Sequence, residues 1–308
     1  MKTKILTRAA SMLAYFLTAV TALTLFISCN KSEIKSTLLQ QKDAPFSINE
    51  LVYMPGYADQ FTGSTSSPAS SVSGNSDKYN SFYGPAIQMG NGHSRSWVNI
   101  SHDGKVLGIG VEMTDEALHG LPTDPTAFAA STFILPLHQK AKELTAFDHV
   151  TINWNVHGHE PQHVYDRPHF DFHFYKISVA DQLAIPIYSG APAKFDNNPP
   201  AGYMPPLYLH TPGGVPQMGA HWVNLLAPEL NGGVFTHTFI YGSYDGKVTF
   251  EEPMITLAIL ESGNTIHQDI RQPDHYAPVN KYYPTRYNIW ENNNKNRHYV
   301  SLDEMVWR

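Results

Sequence analysis

Apolar and polar residues alternate with a period of two through much of this chain, the spacing that sends successive side chains to opposite faces of a β-strand. From His149 to His157, Val150, Ile152, Trp154 and Val156 take one face, and Thr151, Asn153, Asn155 and His157 take the other. Pro168 introduces a second alternation, in which Phe170, Phe172 and Phe174 oppose His169, Asp171 and His173. Further strands are expected over Lys105–Met113, Val234–Tyr241, Lys247–Phe250, Thr285–Trp290 and His298–Leu302. Tyr244-Asp245-Gly246 is a hairpin turn signal between two of them, and Glu291–Asn296 joins the last pair into a C-terminal hairpin. Helical signals are few. Thr114 precedes Asp115–Gly120 as the cap of a short helix with a glycine stop, and Gln139–Leu144 reads as a second. The pattern predicts a mainly β domain, a sandwich or barrel with one or two short helices, spanning residues 80–308.

The amino terminus follows another pattern. Lys2, Lys4 and Arg8 form a basic head, and no charged side chain occurs from Ala9 to Ile27. The apolar run ends in Leu25-Phe26-Ile27-Ser28-Cys29, followed at once by polar residues. A basic head, an apolar middle and a small residue at the cleavage point make a secretory signal, here residues 1–28. The cysteine after it resembles the acceptor of a bacterial lipobox, so the mature chain is expected to begin at an acylated Cys29 held in the lipid bilayer. Residues 29–79, rich in serine between Thr62 and Tyr79, read as a polar tether. The expected location is the bacterial cell envelope, at the outer membrane.

Composition narrows the chemistry. Cys29 is the only cysteine, so no intrachain disulfide can form, and its acylation would leave no thiolate for catalysis or metal binding. Without Lys2, Lys4 and Arg8 the mature chain has 18 Lys+Arg against 27 Asp+Glu, a net charge of −9, which excludes nucleic acid as a natural partner. Histidine is abundant, with 16 in the chain, and five of them fall between His157 and His173 together with two aspartates and a glutamate.

Residues two apart on a strand share a face and lie about 6.7 Å apart, close enough to converge on one ion. His157 with His159, His169 with Asp171, and Asp171 with His173 all have that spacing. Two distant stretches are candidates to complete the set. His221 follows a proline- and glycine-rich loop, and Glu251-Glu252 lies in an otherwise apolar strand run, where an unpaired charge is costly to bury. In the plain alternative Glu251 faces solvent and Glu252 pairs with a histidine or arginine. The expected site is one divalent transition metal, zinc first and then iron, manganese or copper, held by His157, His159, His169, Asp171, His173, His221 and Glu252. His159-Glu160-Pro161-Gln162-His163 also spells H-E-x-x-H, with His169 ten residues after His159 as in metzincin proteases. That chemistry needs a helix, and Pro161 in its interior would cost about 3 kcal/mol or more.

Phe147-Asp148-His149-Val150, His157-Gly158-His159-Glu160-Pro161 and above all Pro168-His169-Phe170-Asp171-Phe172-His173-Phe174-Tyr175 resemble a group of exported bacterial proteins related to a Thermus protein of the sigma-E regulon. The likeness continues through Met218-Gly219, His221-Trp222, Thr238–Gly246, Glu252-Pro253-Met254 and the terminal Trp307-Arg308. The resemblance implies a β-rich domain able to form homo-oligomers and assigns no activity. The functions open at this point are a binding module for a metal or small ligand, a cupin-like metalloenzyme with an open coordination position, a metal-free structural homo-oligomer and, last, a metzincin-like protease.

Overall fold

The computed structural model describes residues 78–308. The expected signal, Cys29 and the tether up to residue 77 lie outside the described residues. The first strands are β1 (Tyr79–Tyr83), β2 (Ile87–Met89), β3 (Gly92–Ser101) and β4 (Val106–Thr114), followed by β5 (Thr132–Pro136), β6 (His149–Asn155) and β7 (His169–Tyr175). Then come β8 (Tyr208–His210), β9 (Ala220–Asn224), β10 (His237–Tyr244), β11 (Lys247–Thr256) and β12 (Ile266–Asp269). The chain ends with β13 (Tyr282–Tyr283), β14 (Arg286–Asn292), β15 (Arg297–Asp303) and β16 (Val306–Trp307).

These strands build two seven-stranded antiparallel sheets and a small β13–β16 ribbon. One sheet has the order β1-β3-β4-β15-β14-β12, with β2 also on β3; the other has the order β5-β6-β7-β11-β10-β9-β8. Neither sheet closes on itself, so the architecture is a sandwich and not a barrel. Among the described residues there are four short α-helices, more than the one or two expected: Gln139–Leu144, Val179–Leu183, Pro192–Phe195 and Leu257–Leu260. The helix expected at Asp115–Gly120 is a single 3-10 turn, Asp115–Leu118, and Thr114 makes no side-chain cap.

The main core lies between the sheets. Val98, Ile109, Val111, Ile289, Val300 and Leu302 from the first sheet meet Leu135, Val150, Ile152, Phe170, Phe172 and Phe174 from the second. All three phenylalanines of β7 are 0% exposed, and burial of each contributes about 1.5–3 kcal/mol. The hairpin between β10 and β11 turns at Asp245 and Gly246, both at positive φ (50° and 77°), the two-residue turn whose twist suits antiparallel strands.

Because Phe170, Phe172 and Phe174 fill the core, the alternation of β7 sends His169, Asp171 and His173 to the opposite face of the sheet. That face is also buried. Tyr165 and Phe235, from the connections after β6 and before β10, pack there on Ile240 and Met254, while Met218 and Ile177 pack on Tyr175 and Phe250. A polar layer thus lies largely beneath loops, and each buried group in it needs a partner.

Candidate metal centres

Two trios of ligand-type side chains form on this face. His159, His169 and Asp171 make one; His173, His221 and Glu252 make the other, and within each trio the ligand atoms lie within 4.8 Å of one another. Six of the seven residues expected from the sequence are therefore brought together, in two groups and not around one ion. His169 and His173 sit four residues apart on an extended strand, too far to share an ion, and each recruits a different neighbour.

His157 joins neither group. The strand expected to run to His157 stops at Asn155, and Gly158 turns the chain at φ 75°. A side chain at Gly158 would meet the Tyr165 carbonyl at 1.9 Å, so this close turn requires glycine. It leaves His157 exposed and brings His159 back over β7. The segment from 157 to 168 is loop, with an isolated bridge between His159 and Tyr165, so the zincin helix does not form. His163 is 91% exposed beside Asp166 and lies in neither trio.

In the first centre the Nδ1–H of His159 donates to the Glu160 carbonyl at 2.7 Å, and the Nδ1–H of His169 donates to the Arg167 carbonyl at 2.6 Å. A carbonyl can only accept, so these bonds fix both tautomers and leave the Nε2 atoms for the site. Those atoms approach Asp171 at 3.5 Å and 3.1 Å. Asn155 donates to Asp171 Oδ2 at 2.7 Å, while Oδ1 has no hydrogen-bond partner. Burial alone would raise the Asp171 pKa, but the adjoining His169 and His159 outweigh it and hold the carboxyl well below its usual range. For His159, burial disfavours the proton and Asp171 overcomes it, so the net shift is upward.

The second centre is drier. Pairing of β7 with β11 sets Glu252 across from His173, and His173 Nε2 lies 3.3 Å from Glu252 Oε2. Neither ring nitrogen of His173 and not Glu252 Oε2 has a hydrogen-bond partner. The Thr151 backbone on β6 favours the His173 proton slightly without reaching hydrogen-bond geometry. His221 arrives from β9, two strands beyond β11, opposite Gly242 of β10. A methyl group at Gly242 would lie 2.0 Å from the Phe250 ring, so glycine there makes room for Phe250. Phe250 in turn packs 4.7 Å from the His173 ring and 5.4 Å from that of His221. Burial pushes His173 down to about 4 and His221 down to about 3, the positive charge of nearby histidines adding to the effect. Burial and Asp171 together push Glu252 well above the ordinary carboxyl range. Both imidazoles are thus neutral at physiological pH and keep their lone pairs.

Two ligand atoms each 2.0–2.1 Å from a tetrahedral zinc stand about 3.3–3.4 Å apart. The contacts of 3.1, 3.3 and 3.5 Å across the two centres bracket that spacing. The plain alternative for Glu251 does not hold: it is buried and paired with Lys176 at 2.7 Å on the core side. Two other buried histidines are structural. His149 is buried with Nε2 on Gln182 at 2.8 Å, and His298 bridges Asp115 and the Leu260 carbonyl.

Sequence reasoning missed Asn155, Tyr165, Gly242 and Phe250 as parts of the site. Asn155 alone carried a readable signal, since it shares the polar face of β6 with Asn153. The other three depend on strand order and loop path.

Comparison with known proteins adds one relation. Residues 101–154 match the model of the TTHB210-like family, Hypothetical protein TTHB210. This supports a relation to that family over the stretch from the end of β3 into β6. All six residues of the two trios, and the Pro168–Tyr175 string, lie outside the matched stretch. No curated protein and no solved structure matches the chain.

Proposed function

We propose that this chain is an envelope lipoprotein whose β-sandwich binds divalent transition metal ions, zinc foremost, at two histidine–carboxylate centres. The observation that carries the reading is the second centre, where His173 and Glu252 face each other at 3.3 Å with orphaned buried atoms. Orphaned buried polar atoms are uncommon in native proteins and costly, so this pair calls for a partner. A cation between neutral imidazoles and a carboxylate satisfies the facing pair, His173 Nε2 and Glu252 Oε2, at once. The first centre supports the same reading, because carbonyl bonds orient both imidazoles with Nε2 toward Asp171, as in metal sites whose ligands are held by outer hydrogen bonds. Imidazole with carboxylate suits zinc, and also iron, manganese or copper. Each centre offers three protein ligands, which favours a reactive or exchangeable ion over a purely structural one and keeps the metalloenzyme reading as the second candidate. The apolar run before Cys29 supports the lipid anchor and the envelope location, at the outer membrane.

The test is elemental analysis of the full chain, purified without a histidine tag and dialysed against metal-free buffer after zinc loading. Two equivalents retained per chain support the proposal. A chain that retains none, with a melting curve that chelator leaves unmoved, is the structural protein instead.

A further inference from the structure

Beside the first centre stands a polar group that metal ligation does not use. Tyr165 is 3% exposed, and its ring packs with Phe235, Ile240 and Met254. Met254 is the register partner of Asp171, and Ile240 is that of Glu252. The ring therefore packs on one strand neighbour of each carboxylate, and it lies 5.6 Å from the His159 ring. Its hydroxyl is buried without a hydrogen-bond partner. Glu229 is close enough to act electrostatically on the phenol but makes no hydrogen bond with it. Solvent reaches this region past His159, whose side chain is 38% exposed.

The charge count points the same way. Two divalent ions bring four positive charges, Asp171 and Glu252 return two, Glu229 beside the phenol returns at most a third, and the histidines bound as ligands are neutral. At least one positive charge would remain in the site, where uncompensated charge is strongly disfavoured. Three ligands at each ion also leave a tetrahedral position open.

We propose that the loaded site binds a small oxyanion, a carboxylate or a phosphate, at the open metal positions and under a hydrogen bond donated by Tyr165. This rests on the metal reading above. The test is calorimetric titration of the full chain with inorganic phosphate and, separately, with acetate, in the zinc-loaded and chelated forms, beside a Tyr165→Phe variant. The expected result is binding of one or both anions by the zinc form only, with the stronger anion naming the class. Tyr165→Phe keeps its zinc content and binds that anion roughly tenfold more weakly, about the worth of one hydrogen bond to a charged group. Zinc retained without anion binding in the wild type overturns this inference and leaves the metal reading standing. Equal anion affinity in the folded, zinc-loaded variant overturns the role of Tyr165. Should Tyr165→Phe not fold, the comparison of zinc-loaded and chelated wild type still decides whether an anion binds. Absence of zinc from the wild type overturns both readings.

Discussion

Glu252→Gln separates the cost of the second centre from its use. Glu252 is 1% exposed in the middle of the sheet, and burial raises its pKa well above the ordinary carboxyl range. In the metal-free protein the folded state keeps a proton that the unfolded chain releases above about pH 4.3. The unfolded state then binds fewer protons, so stability falls as pH rises from that value toward the folded pKa. Glutamine keeps the shape, cannot ionise, and can donate an amide hydrogen to the bare nitrogen of His173. The metal-free variant should therefore melt with wild type near about pH 4 and above it at about pH 7.5, the gap widening with pH. Zinc acts the other way. An ion present at 100 times its Kd stabilises by about 2.7 kcal/mol. Roughly 230 described residues at about 2.1 cal/mol/K each give an unfolding entropy near 0.5 kcal/mol/K, so losing one ion makes the rise in Tm on zinc loading smaller by roughly 5 °C in the variant. Scanning calorimetry of chelated and zinc-loaded samples at the two pH values reads all four quantities. The reasoning is refuted if zinc raises both Tm values equally, or if the chelated variant melts below wild type at every pH.

The two trios make separable claims. His159→Ala or His169→Ala should remove one equivalent of zinc and His221→Ala the other, while His157→Ala and His163→Ala should remove none; elemental analysis after dialysis checks this, and a loss in His157→Ala would contradict it. Gly242→Ala places a methyl 2.0 Å from the Phe250 ring, an overpacking that should cost about 1–3 kcal/mol. It should lower the metal-free Tm by roughly 2–6 °C and weaken zinc binding at His173 and His221 without touching the first centre, as isothermal titration would show. Cys29→Ser should abolish lipid labelling and cleavage after Ser28; mass spectrometry of the mature amino terminus decides, and an unacylated wild-type terminus would end the lipoprotein assignment.

The alternation in Pro168–Tyr175 was enough to place Phe170, Phe172 and Phe174 in a core and His169, Asp171 and His173 on the other face, because a period of two is a local property of the strand. Glu252 stood out for the same kind of reason, as an acid within an apolar run. The division into two centres was not legible. It depends on Glu252 standing across from His173 and on β9 bringing His221 opposite Gly242, both consequences of long-range strand register, and on the loop that returns His159 to His169 and Asp171. His157 was misplaced because its alternation continues past Asn155 while the backbone turns at Gly158. A sequence pattern cannot distinguish a strand from the two residues that follow it when polarity happens to stay in phase. The choice between sandwich and barrel also lay beyond local pattern, since only the pairing order shows that the sheets stay open.

Anomalous scattering at the zinc edge, measured on crystals of the zinc-loaded protein, addresses the central claim directly. Two peaks per chain are expected, one within about 2.2 Å of ligand atoms of His159, His169 and Asp171 and the other equally close to His173, His221 and Glu252. Peaks confined to exposed histidines such as His157 and His163, or no peak beside Asp171 and Glu252, would contradict it.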